Sequence, residues 1–353
     1  MVALGFIMNI LYSLPQLGWN HFFQQQLSLE EWEEFSIARV VGVERSQLVL
    51  LTEAGKQTLE IVHSTPPITV GDWILLNDSG HFHRLFERSS LFSRKAAGTK
   101  VNTQLIAANV DTAFIVCSMN MDFNLNRIER YLALANEAGA ESVIVLTKAD
   151  CCDNPQEYID KSQGLDQLLS VVAVNSLDKE SVEQLTPWCI SGKTIAFLGS
   201  SGVGKSTLIN TMMGSSTQLT KSIREDDSKG RHTTTSRSLH VLESGALLLD
   251  SPGMRELQLA DCEQGVEETF AEILDLANTC RFSDCTHTNE PGCSVREAIA
   301  NGSLDERRLQ SYQKLMREQA FNTATLAEKR ARDKEFGKMV RSVMKGKQKA
   351  KDA

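Results

Sequence analysis

Eight consecutive residues carry the clearest chemistry in the chain. Gly199, Ser200, Ser201, Gly202, Val203, Gly204, Lys205 and Ser206 spell G-x-x-x-x-G-K-[ST]. Glycines at those places let the backbone curl until its N–H groups converge on one spot, and a helix N-terminus behind them adds a positive dipole, which suits phosphate. Lys205 then reaches the β- and γ-phosphates, and the Ser206 hydroxyl is a ligand for the Mg²⁺ that accompanies a nucleotide. The flanks fit the motif, because the apolar run at 194–198 reads as a strand and residues 207–213, opening with Thr207 at the phosphates, continue as a helix.

A phosphate loop does not choose the base. Thr147-Lys148-Ala149-Asp150 follows the apolar run 142–146 and has the form [NT]-K-x-D. The Asp150 carboxylate can accept from guanine N1–H and the exocyclic amine, while the Lys148 stem lies along the base plane. Adenine has no N1 donor, so ATP would leave Asp150 unpaired, a strong basis for rejection. Asn175 and Ser176, after the run 171–174, occupy the place of a further base-contacting loop. Asp250-Ser251-Pro252-Gly253 lies 44 residues beyond Ser206 and has the form D-x-x-G, in which Asp250 holds Mg²⁺ through water and the Gly253 N–H meets the γ-phosphate. Between them Gly230-Arg-His-Thr-Thr-Thr235 stands where a switch threonine completes the Mg²⁺ shell. Thr234 is the candidate, with Thr233 and Thr235 as alternatives.

The order of these segments is informative. The base-reading loops precede the phosphate loop and D-x-x-G comes last, so the expected GTP-binding domain is circularly permuted, which leaves the site intact and moves the chain ends. The segment leaving Gly253 runs into the C-terminal region, giving nucleotide state a path to it. After D-x-x-G, where many GTPases carry a water-orienting Gln, stands Met254. A thioether cannot orient water, so the isolated site should be slow. His232, inside the switch segment, is the internal candidate for the catalytic group. The alternative reading is a non-hydrolysing, nucleotide-sensing RNA-binding module.

A second cluster is a candidate metal site. Cys280, Cys285, His287 and Cys293 fall within 14 residues, and four N/S ligands suit one structural, tetrahedral Zn²⁺ with no open position for catalysis. Cys117, Cys151, Cys152, Cys189 and Cys262 read as buried or incidental thiols. Their scatter lacks the spacing of a secreted disulfide framework and favours a reducing compartment.

The elements that must position these groups follow from pattern. Five short β-rich runs at 37–43, 47–51, 58–63, 73–76 and 83–86, broken by tight turns, predict an OB-type β-barrel over 36–92. Apolar runs alternating with helical periods over 97–260, including Leu125, Ile128, Leu132 and Ala135 on one helix face and a helix near 156–169, predict an α/β domain with a parallel sheet. From 265 to 353 the pattern is helical and contains the cysteine cluster. Residues 1–35 form an N-terminal extension whose first 12 residues are apolar but too short and interrupted for a membrane span, and lack the basic start of a signal peptide.

The chain has 353 residues, 41% hydrophobic and 23% charged, which predicts two or three globular domains and excludes disordered or collagen-like classes. Its formal charge is −8, yet residues 328–353 hold ten Lys or Arg against four Asp or Glu, leaving −14 on the rest. A tail of +6 suits contact with nucleic-acid phosphates.

Taken together, the barrel, T-K-A-D before G-S-S-G-V-G-K-S, G-R-H-T-T-T, D-S-P-G, and C-x4-C-x-H-x5-C followed by a basic helix closely resemble the RsgA (YjeQ) family over about residues 36–350. The resemblance implies a cytoplasmic, monomeric GTPase with no membrane association that hydrolyses GTP to GDP and binds the small ribosomal subunit late in its maturation. It also implies subunit-stimulated turnover, rRNA contact through the barrel and zinc domain, and departure after hydrolysis. Two features depart from common members. The chain before Ser36 is apolar and acidic rather than basic, and Thr147 replaces the more frequent Asn, a shorter side chain expected to weaken base binding.

Overall fold

The computed structural model describes residues 11–95, 103–214, 237–251, 254 and 262–323. His232, Thr233, Thr234, Thr235, Gly253 and the basic tail at 328–353 lie outside the described residues.

The N-terminal extension is part of the barrel's packing. Helix α1 (His21–Gln24) and helix α2 (Leu29–Glu34) start at Asn20 and Ser28, and α2 carries a reciprocal cap in which Ser28 and Glu31 each satisfy the other's backbone N–H. Leu17, Trp19 and Phe23 from this segment bury themselves against Trp73 and Phe86.

The barrel strands are β1 (Ser36–Val43), β2 (Gln47–Thr52), β3 (Gly55–Glu60), β4 (Trp73–Leu76) and β5 (Phe82–Leu85), paired in the order β3-β2-β1-β4-β5. The third begins earlier than the sequence pattern places it, because Glu53 and Ala54 make a two-residue turn and Gly55 takes φ 111°. Among the described residues no ladder joins β3 to β5, which is the partly open form of the OB barrel. A hairpin of β6 (Leu91–Lys95) and β7 (Thr103–Ala108) follows.

The α/β region contains β8 (Thr112–Ser118), α3 (Leu125–Ala138), β9 (Glu141–Thr147), α4 (Pro155–Gln163), β10 (Ser170–Val174), α5 (Lys179–Val182), β11 (Thr194–Leu198), α6 (Lys205–Met213), β12 (Arg237–Val241) and β13 (Leu247–Asp250). Strands β10-β9-β8-β11-β13 are parallel in that order, and β12 runs antiparallel beside β13. Every residue of β8 and β11 is buried, as expected for central strands covered on both faces. Helix α3 buries Ile128, Leu132 and Ala135 as its periodicity requires.

Two connections bind this sheet to the rest. The free edge of β12 pairs antiparallel with β1 of the barrel through Gly42↔Ser238 and Val43↔Arg237, so barrel and α/β region share one sheet. The fully buried Arg39 on β1 adds a second tie. It donates to Leu17 O in the N-terminal segment, to Asn109 O at 3.2 Å, and to Thr194 Oγ1 at 2.8 Å at the start of β11.

The C-terminal helices are α7 (Glu263–Thr269), α8 (Ala271–Ala277), α9 (Ser294–Ala300) and α10 (Glu306–Thr323). Gly265 lets α7 cross α3 so closely that a Cβ there would lie 2.1 Å from Ala133 O. The buried Glu129 of α3 receives Arg307 at 2.9 Å and Arg308 at 2.8 Å from α10, and Arg130 pairs with Glu318. No helix among the described residues is long and apolar enough to cross a membrane.

Candidate nucleotide site and candidate metal centre

Three of the sequence-predicted loops meet at the carboxyl ends of the parallel strands. Strand β11 runs directly into Gly199, where φ is 145° and an added Cβ would sit 2.5 Å from Val116 O of β8. Gly202 and Gly204 take φ 79° and 96°, and helix α6 starts immediately at Lys205. These conformations tolerate no ordinary side chain and turn the loop around the helix N-terminus. Lys205 is buried and its Nζ donates to Gly199 O at 2.7 Å and to Ser200 O, so the ammonium already sits inside the loop.

The T-K-A-D loop leaves β9 beside the phosphate loop. Lys148 takes φ 61°, a short 3₁₀ turn spans Ala149–Cys151, and Asp150 is exposed and open to a base. Thr147 is fully buried, and its Oγ1 donates to Val203 O at 2.5 Å. The hydroxyl of Thr147 is therefore a brace between the T-K-A-D loop and the phosphate loop, a role that reading it only as a base contact misses. A Cβ on Gly204 would lie 3.5 Å from Thr147 Oγ1 and 3.6 Å from Ser176 Oγ, which places the third loop at the same point. Ser176 O accepts from Thr211 Oγ1 of α6 at 2.6 Å, while Ser176 Oγ is buried without a protein partner. The Asn175 side chain accepts from Leu177 N at 3.0 Å and stiffens its own turn.

Asp250 closes β13, the parallel neighbour of β11, and β11 is the strand that leads into the loop and helix carrying Ser206. Hard oxygen donors of this kind fit Mg²⁺. Beside Asp250 across the sheet is Ser238, whose Oγ lies 2.8 Å from His240 Nε2. Burial pushes the His240 imidazole below its usual range, opposed by the Asp250 charge. Met254 is buried at 2% exposure in the hydrophobic core, with its N–H on Ser251 O at 3.0 Å. Its thioether offers no group that could orient a water.

The four C-terminal ligand candidates also converge. The ligand atoms of Cys280, Cys285, His287 and Cys293 all lie within 4.8 Å of one another. Cys280 Sγ is 3.9 Å from Cys293 Sγ, and His287 Nδ1 is 3.7 Å and 3.5 Å from those two sulfurs. A tetrahedron with metal–sulfur arms of about 2.3 Å has edges of about 3.8 Å, so the set fits a metal of zinc's size. His287 holds φ 59°, and Arg296 Nε donates to its carbonyl at 2.7 Å, fixing the ring toward the thiols. All eight cysteines are free thiols. Burial pushes Cys189 and Cys262 up to about 12, which makes them inert packing groups.

Fold and site together define a circularly permuted P-loop GTPase, with strands β9 and β10 ahead of the phosphate loop in the chain and in the same parallel sheet. The family model of the RsgA GTPase matches residues 85–260, and an ABC transporter model matches residues 182–343, a range that also contains the phosphate loop. A Vibrio parahaemolyticus protein described as small ribosomal subunit biogenesis GTPase RsgA 2 is 60% identical over 95% of this chain and 94% of its own length. A Mesorhizobium japonicum RsgA is 45% identical over 88% of this chain and 91% of its own. The chain belongs to the RsgA GTPase family. The crystal structure of YjeQ from Thermotoga maritima has the same fold, with a TM-score of 0.61 at 24% identity over 80% of this chain and 98% of that one.

Proposed function

We propose that this GTPase hydrolyses GTP to GDP and phosphate while bound to the small ribosomal subunit and its rRNA, late in subunit maturation, as a monomer in the cytoplasm. The observation that carries the reading is the convergence of Thr147, Ser176 and Gly204, which brings a guanine-type loop against a phosphate loop. Asp150 would read the base edge, Lys148 and Ala149 would line it, and Asn175 and Ser176 would close the base side. The phosphate-loop amides from Gly199 to Ser206, with Lys205 and Thr207, would hold the phosphates. Ser206, Asp250 and Thr234 would hold Mg²⁺, which neutralises charge between the β- and γ-phosphates, and the Gly253 N–H would meet the γ-phosphate. One Zn²⁺ on Cys280, Cys285, His287 and Cys293 would stabilise the C-terminal region. With Met254 buried, His232 is the group proposed to orient the attacking water when the subunit is bound.

Met254 also supports the second reading, a nucleotide-sensing RNA binder that does not hydrolyse. Phosphate release from GTP, with ATP as control, separates the two when measured with and without purified small subunits. Slow GTP turnover that rises by orders of magnitude with the subunit, and is lost in His232→Ala, is the expected result. Bound but unhydrolysed GTP in both conditions would sink the enzymatic reading.

A further inference from the structure

Three residues from three strands stand in one row beside the nucleotide site. Gly42 of β1 faces Ser238 of β12, and Ser238 faces Asp250 of β13, each pair in direct antiparallel register. Directly opposed residues of an antiparallel pair project to the same face with Cβ atoms about 4.5–5.5 Å apart. Ser238 is therefore the side chain next to the Asp250 carboxylate on that side. On its other side is Gly42, which brings no side chain toward the Ser238 hydroxyl. His240, two residues along the same strand and on the same face, places Nε2 2.8 Å from Ser238 Oγ. The charge of Asp250 is felt at the His240 ring, which puts the carboxylate within electrostatic reach of this pair.

We infer that Ser238, held by His240, is a positioning residue for Asp250, orienting its carboxylate toward the metal of the bound nucleotide. The inference rests on the proposed Mg²⁺ role of Asp250 and extends it to the residues behind it. The hydrogen-bond direction is set by what Asp250 can accept. With the proton on Nε2, His240 donates to Ser238 Oγ, and the Ser238 O–H remains free to point at an anionic oxygen. The opposite tautomer would consume that proton on the imidazole and leave two lone pairs facing a carboxylate. A group behind a metal ligand acts on metal affinity, and losing one typically costs 10–100-fold.

The test reads metal dependence rather than turnover. Full-length protein is loaded with a fluorescent GDP analogue, and nucleotide release is followed across a Mg²⁺ titration for wild type, Ser238→Ala, Ser238→Thr, His240→Ala and Asp250→Asn. Ser238→Ala is expected to raise the half-saturating Mg²⁺ concentration about tenfold, with His240→Ala shifting it the same way. Ser238→Thr keeps the hydroxyl and should restore the wild-type value, and the gap between Ser238→Ala and wild type should close when EDTA removes the metal. In the Ser238→Ala/Asp250→Asn double variant the two shifts should not add, since one acts through the other. An unshifted Ser238→Ala beside a shifted Asp250→Asn overturns this inference alone. An unshifted Asp250→Asn overturns the Mg²⁺ role of Asp250 and this inference with it. Circular-dichroism melts confirm that each variant compared is folded, and Ser238→Thr reports on the hydroxyl should the alanine variant fail to fold.

Discussion

A single hydroxyl illustrates how this site is held. Thr147 is where the family resemblance suggests a loss, since a threonine reaches the base less well than an asparagine. In the structure its Oγ1 is spent on Val203 O, joining two loops 56 residues apart in sequence. Thr147→Val keeps the shape and removes the donor, leaving a buried carbonyl without its partner at a cost of about 1–3 kcal/mol. GDP affinity, measured by titration of a fluorescent analogue, should fall by about tenfold, corresponding to about 1.4 kcal/mol. Unchanged affinity would show that the brace does not shape the bound loop. The motif residues themselves were legible in sequence because each motif is local: eight residues make the phosphate loop and 14 hold the cysteine cluster. The brace was not, because a threonine at that position is compatible with either contact until the strands are placed.

At the level of elements, legibility followed burial pattern. Strand β11 and helix α3 matched their periodic runs, since strands buried on both faces and amphipathic helices leave strong signals. Helix α4 is shorter than its pattern, because it stops at Gln163, whose side chain folds over the following turn to bond Asp166, Gln167 and Leu169 carbonyls. The β6–β7 hairpin and β12 escaped detection, as five- and six-residue strands without strict alternation carry little periodic signal. The helical docking of the C-terminal region was equally hidden, since Glu129 looks like a surface residue of α3 until α10 brings two arginines to it. Glu129→Gln leaves Arg307 and Arg308 without their shared buried carboxylate, and breaking such a cluster costs about 3–5 kcal/mol. Hydrogen exchange of α10 should rise sharply in that variant while β8 and β9 stay protected. Equal protection of α10 in both proteins would mean that apolar packing alone docks it.

The whole molecule is tied together by Arg39, which no local pattern announces. Its guanidinium is fully buried, and burial lowers it to about 10, still a cation at neutral pH. It holds the N-terminal segment, the barrel strand, the connection at Asn109 and the strand that carries the phosphate loop. Arg39→Met should cost about 2–4 kcal/mol through those lost charge-assisted bonds. It should also split denaturant unfolding, so that tryptophan fluorescence, reporting mainly Trp19, Trp32 and Trp73 on the barrel side, changes before far-UV circular dichroism. A single coincident transition in the variant would refute Arg39 as the tie. The same connection has a consequence for how the chain comes into being. Gly42 waits for Ser238, which emerges from the synthesising ribosome 196 residues later, about 10–40 s at ordinary elongation rates. Arg39 lacks Thr194 until 155 residues after it have been made, and the strand end at Gly42 stays unpaired longer still, so the barrel reaches its final shape only when about two-thirds of the chain has been synthesised.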